Sequence, residues 1–280
     1  MTWRLSVEHQ TEYVYEGTVL ASYNEVRVTP RAGSGQVVLD HDVGIRPASR
    51  VLRYVDYWGT KVTAFDVHQP HDRLVVNGRS LVETGPRGRF DDDGSWDDLR
   101  CQRTRDEFYE FLGASAYVPE DRVFDAVARE VTAGRTPAEA IEAIAQWTRT
   151  HMTYERGPTT VKTTASEAIA LGRGVCQDFV HVAIALLRAA SIPARYASGY
   201  LHPHEEASIG ETVMAESHAW LDAWIGDWCP IDPTNGAPVA ERHVLVAQGR
   251  DYADVTPLKG VYHGRASEAV DVRVAITRVA

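Results

Sequence analysis

The chain has 280 residues, 44% of them hydrophobic and 24% charged, with a formal net charge of -10. That length can bury a sizeable core in one large domain or two modest ones, and its scattered Lys and Arg argue against nucleic acid as a partner. Cys101, Cys176 and Cys229 are odd in number and far apart, so they make neither a disulfide framework nor a C-x-x-C zinc pair.

The N-terminus lacks the apolar core of a signal peptide, and the apolar run Val182 to Leu187 stops at Arg188. It is too short to cross a bilayer, so the expectation is a reduced, cytoplasmic setting with no membrane partner. Residues 1–90 read as a β-rich domain. Leu5, Val7, His9, Thr11, Tyr13 and Tyr15 fall at alternate positions, and Val37, Leu39, His41, Val43 and Ile45 repeat the period, which puts each set on one face of a strand. Asn77-Gly78 between apolar runs predicts a two-residue hairpin, and Asp56 to Thr60 a second turn. A sandwich of short antiparallel strands is expected here. Residues 91–100 carry Asp91, Asp92, Asp93, Asp97 and Asp98 around Gly-Ser. They read as an acidic linker, since the spacing of a twelve-residue calcium loop is absent.

Residues 101–280 read as a second domain, and its periodicity is first helical. Pro119 is expected to open a helix carrying Val123, Val127 and Val131. Thr136 to Glu139 and Thr164 to Glu167 are capping boxes, and Gly172 is placed to end the helix that the second box begins. A helix starting at Cys176 follows, with Phe179, Ala183, Leu186 and Ala190 as its inward stripe, and Ile192-Pro193 stops it. Strands return over 194–201, 218–225 and 228–232, with a final alternating run of Val270, Val272, Val274 and Ile276. Helices followed by an antiparallel sheet give an α+β order.

Cys176 is the candidate nucleophile. A thiol at a helix N-terminus is stabilised as thiolate by unpaired N–H groups and the macrodipole, and by a nearby imidazolium. Asp178, two residues on, would oppose this if it pointed at the sulfur; capping the helix start is its expected task. In "ESHAWLDAWIGDWCPIDPTNG" the reversal at Gly226-Asp227 should pair the His218 strand with the strand before Asp232. Asp232 can then fix the tautomer of His218 and leave the other ring nitrogen for Cys176. Taken singly, each residue has a plainer reading as a packed cysteine, a bonded core histidine or a turn-forming aspartate. The combination favours catalysis.

"GVCQDFVHVAIALLRAASIPARYASGYL", "HAWLDAW" and "WCPIDPTNG" resemble the three core motifs of the transglutaminase-like superfamily, one of Cys176, His218 and Asp232 falling in each. "YVDYWGT" resembles part of the β-rich N-terminal region of bacterial members, and "HVLVAQGRDYADVTPLKGVYHG" their C-terminal segment. Cys229-Pro230 is a local departure. The resemblance implies a papain-like core, a Cys-His-Asp triad and acyl transfer from an amide, with a peptide or amide substrate and no cofactor. Peptidase or amidase activity is the leading expectation; transfer to an amine, or a catalytically silent binding protein, are the alternatives. The Cys176 N–H is the natural first oxyanion donor and Tyr154 the candidate second, with simple packing as the other reading of Tyr154. A metal site from His202, His204, His218 and Cys229 lacks a four-ligand spacing, so no metal is expected. The four glutamates in the loop 202–216 suggest a cleft that disfavours acidic substrates, although a solvated loop explains them equally well.

Overall fold

The structure is a computed structural model that describes residues 2–86, 94–264 and 268–280. Five strands come first: β1 (Trp3–Val26), β2 (Gln36–Arg46), β3 (Val51–Val55), β4 (Lys61–Val67) and β5 (His71–Thr84). Trp3, Leu5, Val7, His9 and Thr11 are buried at alternate positions of β1, as a half-buried strand requires. The β1–β5 register breaks between Val14 and Val19. Val26, Phe65 and Val67 thereby meet Val43, Leu74 and Val76 in a single core. The expected sandwich is thus one continuous sheet whose two limbs share a core.

Two expectations fail in this region. Asn77 and Gly78 lie inside β5, opposite Gln10 and His9 on one side and Gly44 and Val43 on the other. A Cβ on Gly78 would lie 2.7 Å from a methyl of Val28, so the glycine admits a packed side chain instead of making a turn. Val37 and Leu39 are exposed, because a bulge between Val38 and Asp40 shifts the register of β2. The turn at Asp56 does form, with Gly59 N–H donating to Asp56 O at 2.9 Å.

Helices α1 (Trp96–Arg100), α2 (Gln102–Glu107), α3 (Tyr109–Leu112), α4 (Arg122–Thr132) and α5 (Pro137–His151) follow. Asp91 to Asp93 lie outside the described residues. The second half of the expected linker is helical, capped by Ser95 and anchored by buried Leu99. α4 starts after Asp121, whose carboxylate accepts the Val123 N–H at 3.1 Å. Phe124 and Ala128 therefore face inward and Val123 faces solvent. Both capping boxes form, with Glu139 accepting from Thr136 N–H at 2.9 Å and Glu167 from Thr164 N–H at 2.8 Å.

Next come β6 (Thr153–Tyr154), α6 (Ala165–Leu171), β7 (Arg173–Gly174), α7 (Cys176–Ala189), β8 (Ala194–Leu201), β9 (Thr212–Ala215), β10 (Ser217–Trp224), β11 (Trp228–Ile231), β12 (His243–Gly249), α8 (Tyr252–Val255), β13 (Leu258–Gly264) and β14 (Glu268–Arg278). α7 is buried from Gln177 through Arg188, on every face rather than along one stripe. It lies between α4, α5 and α6 and the antiparallel sheet β11-β10-β8-β12. The two parts expected on either side of residue 90 share a sheet. β13 and β14 both pair with β1, so the end of the second part completes the sheet of the first. Among the described residues, no helix is long and apolar enough to cross a membrane.

Candidate active site

The loop that presents Cys176 is fixed from both sides. Gly172 ends α6 with a left-handed φ of 64°, a conformation other residues adopt at a cost. Arg173 and Gly174 then pair in parallel with Thr153 and Tyr154, and Cys176 becomes the first, half-buried residue of α7. The carboxylate of Asp178 turns back over the loop, accepting from Val175 N–H at 2.8 Å and from the Thr159 hydroxyl at 2.7 Å. Its charge is committed to those donors, and burial raises its pKa. A Cβ on Gly174 would lie 2.3 Å from that carboxylate. A side chain there requires the aspartate or the loop to shift.

His218 and Asp232 come from the β10–β11 hairpin, where Leu221 pairs with Ile231 and Trp224 with Trp228. His218 Nε2 lies 2.7 Å from Asp232 Oδ2. That bond occupies Nε2, and Cys176 lines the same two cavities as His218. Burial alone would lower the His218 pKa. The hydrogen bonds to Asp232 and Cys176, with the charges of both, raise it instead to about 9, so the imidazolium form is favoured. Trp220, fully buried, stacks near the His218 ring at a centroid distance of 6.3 Å. Burial would raise the Asp232 pKa, but the hydrogen bonds of His218 and Asn235, with the His218 charge and the nearby His243 ring, hold it far below the usual carboxylate range.

Two partners of Asp232 escaped the sequence reading. Asn235 donates its amide to Oδ2 at 2.8 Å, while the N–H groups of Thr234 and Asn235 reach Oδ1 at 2.9 and 3.1 Å. The turn after Asp232 was the available signal for Asn235. His243 had none: it arrives from the start of β12, fully buried, with Nε2 at 3.7 Å from Asp232 Oδ2.

The β6–β7 pairing brings Tyr154 to the cavities that Cys176 lines. Its ring lies 6.3 Å from that of Phe179, and burial, then the charge of Cys176, raises its pKa. The other candidate ligands disperse. His202 packs edge-on against Trp3, His204 bonds Glu211, and the Cys229 thiol donates to Asp227 O at 3.6 Å. Among the described residues, His218, Asp232 and His243 form the only group of three whose ligand atoms lie within 4.8 Å of one another. The short contact between His218 and Asp232 is hydrogen-bond geometry.

Cys176 and His218 lie between two cavities that share Tyr154, Glu216 and Ser217. The larger, about 780 Å³, reaches β1 and β14; the smaller, about 590 Å³, reaches Arg156, Met214 and Asn235. Three of the four loop glutamates are partnered. Glu205 pairs with Arg242 at 2.9 Å, Glu216 with Arg156 at 3.1 Å, and Glu211 bonds His204.

Comparison with known proteins agrees along the chain. The family model of the transglutaminase-like superfamily matches residues 125–233, and that of the bacterial transglutaminase-like N-terminal region matches residues 5–83. An uncharacterized protein of Mycobacterium leprae is 44% identical over 278 residues, 99% of this chain and all of that protein. One from Mycobacterium bovis is 32% identical over 294 aligned residues, covering 98% of this chain and 93% of its own. Among solved structures, a candidate cysteine protease from Cytophaga hutchinsonii superposes with a TM-score of 0.81 at 22% identity, covering 100% of this chain and 92% of that one. The fold is shared.

Proposed function

The chain belongs to the transglutaminase-like superfamily, and from that premise we propose that it is a cysteine peptidase or amidase. Cys176 is the nucleophile, His218 its proton partner and Asp232 the group that orients His218. The observation that carries this reading is the hydrogen bond of 2.7 Å from His218 Nε2 to a buried Asp232, with Cys176 lining the same cavities as His218.

The Cys176 thiolate attacks the carbonyl carbon of an amide and forms a C–S bond. As the C–N bond breaks, His218 gives its proton to the departing nitrogen. The developing oxyanion takes a hydrogen bond from the Cys176 N–H, which has no acceptor within α7 at this first helical position. The Tyr154 hydroxyl is the second donor. Neutral His218 then takes a proton from water as the oxygen attacks the thioester carbonyl; the products are a carboxylic acid and the regenerated thiolate–imidazolium pair. Asp232 holds one orientation of the ring through both halves.

The experiment is a peptide-amide screen by mass spectrometry, with Cys176→Ala as control and a fluorescent primary amine present. The expected result is free acid, absent with the alanine variant. Predominant incorporation of the amine would assign the acyl acceptor differently. If Cys176 reacts with iodoacetamide at pH 6 no faster than a model thiol, the nucleophile assignment falls.

A further inference from the structure

The larger cavity beside Cys176 has a wall that comes from the N-terminal sheet. Val270, Val272, Val274 and Ile276 share one face of β14. Val274 and Ile276 are fully buried, whereas Val270 is 49% and Val272 46% exposed. The apolar stripe therefore continues past the point where the core needs it, and its continuation lines the cavity that holds Cys176 and His218. In the β1–β14 ladder Tyr13 stands beside Val270 and Thr11 beside Val272, and all four line that cavity. Val161, 59% exposed, lines it too. Single exposed valines need no explanation. Three around one cavity with a nucleophile form an uncovered apolar patch of the kind that receives a ligand.

The charges in the cavity point the same way. The chain has only three lysines, Lys61, Lys162 and Lys259, and the last two line this cavity. Its lining carboxylate, Glu216, is paired with Arg156 at 3.1 Å, and Glu25 stands across the ladder from Lys259. No excess negative charge is left to attract a basic peptide, although the chain as a whole is acidic.

We infer that the β1–β14 face is a substrate subsite for a bulky apolar or aromatic side chain beside the scissile amide. The inference rests on the cysteine amidase reading and adds the class of substrate. Peptides with Phe, Leu or Tyr next to the bond are accepted; those with Lys or Arg there, and bare small amides, are poor substrates.

The test uses blocked peptides with Phe, Leu, Ala, Lys or Glu on either side of one amide, measured for kcat/KM beside the iodoacetamide rate of the same preparation. The expected result is that Phe or Leu exceeds Lys by roughly ten-fold or more. Val272→Asp should shrink or invert that ratio, and a ratio within one variant does not depend on the fraction folded. If that variant fails to fold, the isosteric Val272→Thr should still lower the Phe-over-Ala ratio. Turnover without the preference, or a preference untouched by the Val272 variants, overturns the subsite and leaves the amidase. Fast alkylation without turnover of any apolar peptide also overturns it. Slow alkylation with no turnover of any peptide removes both readings.

Discussion

His243 Nε2 sits 3.7 Å from Asp232 Oδ2, the oxygen that also takes the 2.7 Å hydrogen bond of His218. The Ala240 N–H donates to His243 Nδ1 at 3.3 Å, so that nitrogen is an acceptor and the ring's proton is on Nε2, facing the carboxylate. Asp232 is thus held between two imidazoles. His243→Phe keeps the packing against Trp220 and removes the polar ring 3.7 Å from the carboxylate; kcat should fall by up to roughly ten-fold, with KM little changed. His243→Gln, which keeps an N–H donor, should recover part of the loss. Steady-state kinetics on the three proteins checks this, and equal loss in both variants would reduce His243 to packing.

Asp232→Asn should lower kcat by about 10³- to 10⁴-fold through the wrong tautomer of His218. It should also move the alkaline limb of the pH–rate profile downward. In the parent protein that limb is expected near pH 9, where the raised His218 gives up the proton the leaving group needs. A limb that stays in place would separate His218 from Asp232.

These two histidines mark the boundary of what the chain discloses locally. The capping boxes, the left-handed Gly172 and the Cys176, His218 and Asp232 motifs are legible because each is decided within a few residues. His243 is different, since its position depends on β12 being laid beside β8. Asn77-Gly78 misleads for the same reason: its turn propensity yields to pairing with β1 and β2 on both sides. Nothing near Val270 says that it will stand next to Tyr13.

Stability should peak near neutral pH. Burial lowers His9 to about 4 and His181 to about 3, from 6.5. The unfolded chain therefore binds more protons below 6.5, and stability falls as the pH drops toward those values. Asp232, held low, adds to the loss in strong acid. His218 acts in reverse: its contribution is full below 6.5 and is lost as the pH rises through about 9. Denaturant midpoints between pH 4 and 10 measure the curve, and a midpoint that rises steadily into alkali would contradict it.

Gly174→Ala places a methyl 2.3 Å from the Asp178 carboxylate, so the loop or the aspartate must shift. The expected cost is about 1–3 kcal/mol of stability, with slower alkylation of Cys176 because the start of α7 is displaced. Thermal denaturation and iodoacetamide labelling read the two effects. Normal labelling in a destabilised variant would show that the sulfur is positioned independently of this contact.

The ladder between β1 and β14 also sets an order of events. Residues 27 to 267 separate the two strands, so contacts of this range form late and slowly. A nascent chain that has emerged from the ribosome past Asp232 already contains its sulfur, imidazole and carboxylate, yet Tyr13 still waits for Val270. Synthesis order therefore makes the β1–β14 face the last part of the larger cavity to be completed.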